Sequence, residues 1–166
     1  MYFFNLDNYS NIMIEIISNL FLSSYNDIEL HEPLSKYFIV NCSKDLQMKC
    51  NDNIRLSVDD NGSNESIDIM YKSFDKICNI IDKKLSNNKI VIIHCLAGVQ
   101  RSPTIICAYL MLKKNYKLEE AILLLISKKS NIFFYNINFI ESLQKLELQI
   151  GIDTNKLKNN QKCTFL

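Results

Sequence analysis

Cys95 and Arg101 enclose five residues, Leu96, Ala97, Gly98, Val99 and Gln100, in the stretch "VIIHCLAGVQRSP" from Val91 to Pro103. A cysteine thiolate is a strong nucleophile, and the planar fork of an arginine can hold two oxygens of one phosphate, where a lysine offers only a point charge. The chain has 17 Lys and two Arg, so the Arg at this position is informative. A five-residue loop between them can curl so that successive backbone amides ring the three oxygens of a phosphoryl group. Gly98 would supply freedom at the tightest point. A thiol at the base of such a ring, near a helix N-terminus and an Arg, has its pKa lowered to about 3.5–7.5. His94 could brace the loop through backbone hydrogen bonds, and Ser102 could donate to the sulfur and steady it as a leaving group.

The spacing alone is weak, and its context gives it weight. "IVII" at 90–93 is the β-branched run of a strand buried on both faces, and it points directly at His94 and Cys95. Beyond the loop, Pro103 fits a first helical turn, and Ile105, Ile106, Tyr109, Leu110 and Leu112 carry a largely buried helix. A strand that ends in a short loop and turns into a helix aims the loop amides at one point, an anion site. An acid to protonate a leaving oxygen is worth about 10²–10⁴ in rate, and "RLSVDDNGS" offers Asp59 and Asp60 on a separate segment.

The elements that must position these groups follow from periodicity. Short β-type runs, "IMIEII", "LFLSS", "YFIVNCS" at 37–43 and "IRLSV" at 54–58, open the chain. A helix is expected from about Glu65 to Leu85, with Ser63 or Asn64 as N-cap, and two more over 118–129 and 137–150. The result is a layered α/β domain. From Gly151 onward the chain is polar, rich in Lys and Asn and without a sustained period, so residues 1–150 are expected to form the domain and 151–166 a flexible tail.

At 166 residues and 48% hydrophobic composition, one domain can bury a sizeable core without staples. No apolar run is long enough to span a membrane, and the amino terminus carries Asp7 and Glu15 where a signal peptide needs an apolar stretch, so a cytoplasmic protein is expected. The net charge of +1 gives no global pull toward nucleic acid, and no nucleic-acid partner is expected. Six cysteines, Cys42, Cys50, Cys78, Cys95, Cys107 and Cys163, have no paired spacing for zinc; most are expected to be free thiols, with Cys78 and Cys107 in the core. Nothing decides between a monomer and a homodimer.

At these residues the sequence resembles the cysteine-dependent phosphatases, and "HCLAGVQRSPTIICAYLM" is most similar to the compact dual-specificity protein phosphatases, some of them carried by large DNA viruses. "ISNLFLSSYNDIEL", "YFIVNCSKDL" and "YKLEEAILLL" extend the likeness over roughly residues 12–148. The resemblance implies a protein tyrosine phosphatase-like fold, with a central, mostly parallel sheet of about five strands flanked by helices. It also implies hydrolysis of phosphotyrosine and phosphoserine or phosphothreonine on protein substrates, through a phosphocysteine on Cys95 and without a metal or other cofactor. Matching "LSVDD" to the family pattern puts the general acid on Asp60, with Asp59 as the alternate. The chain departs from the family at "KKSNIFFYNINF", where an Arg-Pro and a Pro-Asn pair with a Gly before the last helix are usual; Phe133, Phe134 and Tyr135 read there as anchors of a helix start in the core, with the lining of a substrate groove as the alternative.

Other activities fit the same residues less well. Phosphoinositide or RNA 5′-phosphate hydrolysis would favour cationic loop residues, and here Leu96, Ala97, Val99 and Gln100 are neutral. A noncatalytic phosphopeptide-binding module would lack nucleophile, acid or Arg, and a sulfurtransferase would not need the acid-bearing segment. Cys163-Thr164-Phe165-Leu166 has the C-a-a-X form, whose Leu favours geranylgeranyl transfer, with Lys156, Lys158 and Lys162 upstream. One lipid plus these lysines would hold the protein on a membrane, and an accidental Cys in a frayed tail is the alternative. If Cys163 is lipidated, Cys163→Ser moves the cellular protein from the detergent to the aqueous phase; an unchanged partition rules the lipid out.

Overall fold

A computed structural model describes residues 13–133 and 137–162, and side chains as far as Gly151. Strands β1 (Ile14–Ile17), β2 (Leu20–Ser24), β3 (Tyr37–Asn41), β4 (Asn53–Arg55) and β5 (Ile90–Cys95) form one sheet in the order β1-β2-β5-β3-β4. Only the β1–β2 hairpin is antiparallel; β5 lies between β2 and β3, parallel to both. The β-branched run therefore occupies the centre, and Val91, Ile92 and Ile93 are fully buried.

Alternation along the strands divides the core. Leu20, Leu22, Phe38, Val40, Val91 and Ile93 join one large cluster with side chains from all four helices: α1 (Asn64–Ser86), α2 (Arg101–Lys114), α3 (Leu118–Lys128) and α4 (Ile140–Lys162). Tyr37, Ile39 and Ile92 face the other way and are covered by Ile28 and Cys50 from the connections. Helix α1 buries Ile67, Met70, Phe74, Ile77, Cys78 and Ile81 at three- and four-residue intervals. Ser63 is its N-cap, accepting the Ser66 amide at 3.2 Å. Helix α2 buries an unbroken run from Ser102 to Met111. Helix α2 lies between the sheet and helices α1, α3 and α4, and presents no solvent face over that stretch.

Three expectations change. β4 ends at Arg55 rather than continuing to 58: the Leu56 amide still donates to the Asn41 carbonyl of β3 at 2.8 Å, beyond which the chain leaves the sheet with Leu56 and Val58 buried in the core. The last helix begins at Ile140, after a turn in which the Ile140 amide donates to the Ile137 carbonyl. It also continues past Gly151 to Lys162, where the sequence suggested a tail without regular structure. Absence of an apolar period removes the buried face of a helix, not its backbone hydrogen bonds, and Lys, Leu and Gln are good helix formers. Cys163, Phe134 and Tyr135 lie outside the described residues, while Phe133 is buried, as expected of a core anchor. Among the described residues no helix is long and apolar enough to cross a membrane.

Candidate active site

β5 delivers Cys95 to the carboxyl edge of the sheet, and the chain turns through Leu96–Gln100 into α2 within one short loop. The Cys95 Sγ accepts the Gly98 amide at 3.3 Å and the Ser102 hydroxyl at 3.3 Å. Burial pushes the Cys95 thiol up, but the hydroxyl and amide of Ser102, the Arg101 charge and the Val99 amide together hold it below its ordinary value. Cys42 is an internal control. It follows β3 beside the end of β5, where its amide donates to the His94 carbonyl at 2.8 Å, and it is fully buried. Burial, and then the neighbouring Cys95, push that thiol far up. Burial likewise raises Cys78, to about 12, and Cys107. Cys42, Cys50, Cys78, Cys95 and Cys107 are all free, and Cys95 alone among them has a lowered pKa.

Gly98 has φ +66°, and a Cβ there would lie 2.8 Å from the Ser23 carbonyl oxygen on β2. The loop is thus pressed onto the neighbouring strand at its tightest bend, as glycine alone permits. His94 is fully buried, with Nδ1 3.3 Å from the Cys95 carbonyl oxygen and the Tyr25 ring 5.8 Å away. Desolvation lowers its pKa to about 4, so at neutral pH it is an uncharged brace. Leu96 is exposed on the rim, Ala97 is exposed, Val99 is half-buried, and Gln100 is buried with its side-chain oxygen accepting the Asn138 amide at 3.2 Å.

The two candidate acids are separated by geometry. Leu56 and Val58, buried on alternate positions, anchor the segment that leads to them. Asp59 faces outward and pairs with Lys44. Asp60 faces the loop, with Oδ2 3.5 Å from Arg101 Nε, and its Oδ1 accepts Asn138 Nδ2 at 2.7 Å. Arg101 also reaches back to the Val58 carbonyl at 3.4 Å, so the loop arginine and the acid segment touch.

Two contributors escaped the sequence reading. Asn138 Nδ2 donates to Asp60, and Lys129 Nζ donates to the Ala97 and Gly98 carbonyls at 3.2 and 3.3 Å. Both lie in the "KKSNIFFYNINF" stretch that departs from the family pattern, and they act on residues remote in sequence, so no local spacing marks their contacts. Among the described residues no group of three His, Cys, Asp or Glu side chains could hold a metal ion.

Together the sheet order and the strand-loop-helix at its centre make this a protein tyrosine phosphatase-like domain. Human DUSP28, 19% identical, shares the fold with a TM-score of 0.71 over 84% of this chain and 95% of that one. Residues 20–149 match the family described as dual specificity phosphatase, catalytic domain, and the chain belongs to that family. Protein 123R of Invertebrate iridescent virus 6 is 29% identical over 133 residues, which are 80% of this chain and 90% of that protein. Human dual specificity protein phosphatase 9 is 33% identical over 148 residues, 84% of this chain; the chain spans 37% of that protein's length.

Gly98→Ala forces the loop off Ser23 and adds about 1–2 kcal/mol of backbone strain. Thermal melting is expected to show a folded, less stable protein, and aryl phosphate turnover is expected to fall by about 10²-fold or more because the amides lose their aim.

Proposed function

We propose that the domain hydrolyses phosphotyrosine and phosphoserine or phosphothreonine in proteins through a phosphocysteine intermediate. The observation that carries this reading is the convergence of the Gly98 amide and the Ser102 hydroxyl on Cys95 Sγ at the base of a loop closed by Arg101, beside a carboxylate on a second segment. Arg101 and the loop amides hold the equatorial oxygens as Cys95 Sγ attacks in line. The S–P bond forms, the bond from phosphorus to the leaving oxygen breaks, and Asp60 gives that oxygen its proton. Asp60, now a carboxylate, takes a proton from water as the water oxygen attacks phosphorus. The S–P bond then breaks, inorganic phosphate forms, and the thiolate departs with the Ser102 hydroxyl donating to it.

Neutral loop side chains and an apolar Leu96 on the rim favour a protein-borne phosphate over a polyanionic inositol phosphate or an RNA end. Asp60 is the acid in this reading because its carboxylate faces Arg101 and is fixed by Asn138, whereas Asp59 is engaged with Lys44 on the outside.

With EDTA present, wild type is expected to turn over an aryl phosphate and Cys95→Ser to fall by about 10⁴-fold or more; equal, negligible rates in both would remove the enzyme reading. Asp60→Asn is expected to lose about 10²–10⁴-fold on a phosphoserine peptide, whose leaving oxygen needs a proton, and far less on an acidic phenol ester. Asp59→Asn should stay near wild type on both. The converse pattern would transfer the role to Asp59. A panel of phosphotyrosine and phosphothreonine peptides, phosphoinositides and 5′-phosphorylated RNA reads the substrate class directly.

A further inference from the structure

The amides that face Cys95 belong to peptide units whose carbonyls face away from it, because N–H and C=O point in opposite directions across a trans peptide. The Gly98 amide shares its plane with the Ala97 carbonyl, and the Val99 amide shares its plane with the Gly98 carbonyl. These outward carbonyls must find donors, or the loop can relax by rotating the peptides. Both find the same one. Lys129, the residue after α3, places Nζ 3.2 Å from the Ala97 oxygen and 3.3 Å from the Gly98 oxygen. The next outward carbonyl, that of Val99, accepts the Phe133 amide at 3.0 Å. Phe133 is buried and holds φ +57°, a conformation unfavourable for an aromatic residue, at the position that makes this contact.

The lysine is committed to this task. It is half-buried, and among the described residues it makes no ion pair. Burial lowers its pKa, which the charges of Asp27 and Cys95 oppose. Its neighbour Lys128 is exposed.

We propose that Lys129 is a positioning residue of the phosphate loop: its ammonium holds the Ala97 and Gly98 carbonyls outward and so fixes the Gly98 and Val99 amides on the Cys95 sulfur and on the bound phosphoryl group. A charge-assisted bond to a carbonyl also polarises the peptide and strengthens its N–H as a donor. The role rests on the reading of the loop as a phosphate site, but its effect on the thiol does not require turnover.

The test compares Lys129→Met, Lys129→Arg and Lys128→Met, the last controlling for net charge. Three quantities are read: the pH midpoint of Cys95 alkylation by iodoacetamide, inhibition by orthovanadate, and kcat/KM on an aryl phosphate. Lys129→Met is expected to move the alkylation midpoint upward by about half a unit or more. It should also weaken vanadate and kcat/KM by about 10- to 100-fold. Lys129→Arg should restore most of each, and Lys128→Met should match wild type. An unmoved alkylation midpoint in Lys129→Met, or an Arg variant as impaired as the Met variant, overturns the proposal. If thermal melting shows that the Met variant does not fold, Lys129→Gln, which keeps a donor without the charge, is read in the same three ways against the same criteria. Should wild type turn over no phosphate ester while the midpoint still depends on Lys129, the functional reading fails and the positioning role stands.

Discussion

Much of this domain's architecture converges on favouring the charged form of one thiol inside a buried site. Desolvation penalises the charged form of every buried thiol, and Cys42, Cys78 and Cys107 show the result without compensation. Cys95 is as inaccessible as they are, and its pKa moves the other way because donors converge on the sulfur. Those donors exist only if the loop keeps its shape. A central strand has to end at Cys95, a helix has to begin at Arg101, and Gly98 has to sit against Ser23. The parallel sheet is what makes this geometry available, since a parallel strand must cross over through a helix and leaves its carboxyl end free for the loop.

A loop that points its amides inward creates a second requirement on its outside. Its carbonyls need donors that are neither strand nor helix partners, and the chain meets the need with the segment from Lys129 to Phe133. The end of α3 thereby becomes part of the site without touching the reacting atoms. Asn138 extends the same segment's reach to the acid loop, binding Gln100 through its amide N–H and Asp60 through its side chain. One stretch of chain therefore sets the distance between nucleophile loop and acid.

How much of this was legible in the sequence follows from the range of the interactions. The Cys95 loop was readable because its parts are contiguous: an apolar strand, Cys95, Gly98, Arg101 and Pro103 lie between positions 90 and 103, and each has a local reason. α1 was readable from periodicity, since one side of it faces the core, and β5 from its unbroken β-branched run, since both of its faces are buried. Asp60 and Asp59 are adjacent and chemically identical; what separates them is the partner each meets across the fold, Arg101 and Asn138 for one and Lys44 for the other. Lys129 is one of 17 lysines, and its contacts lie 31 and 32 residues away. The helix beyond Gly151 was missed for a different reason, because an amphipathic period reports packing rather than backbone hydrogen bonding.

The acid segment is held less firmly than the loop it serves, and this asymmetry suits its task. The loop is pinned by buried contacts: Gly98 on Ser23, His94 within the core, Ser102 under the sulfur. Asp59–Lys44 is half-exposed, and ion pairs of that kind contribute about 0–1 kcal/mol. Asp60–Arg101 is more sheltered, but at 3.5 Å from Nε it leaves the guanidinium's paired terminal nitrogens to other partners. In the proposed mechanism a phosphate entering the loop takes the Arg101 fork, and the carboxylate exchanges part of its contact with the arginine for one with the leaving oxygen. Asn138 holds Oδ1, and Oδ2 is the oxygen that faces Arg101. On that reading the sulfur is set by buried structure, while the proposed acid is held by contacts weak enough for a substrate to rearrange.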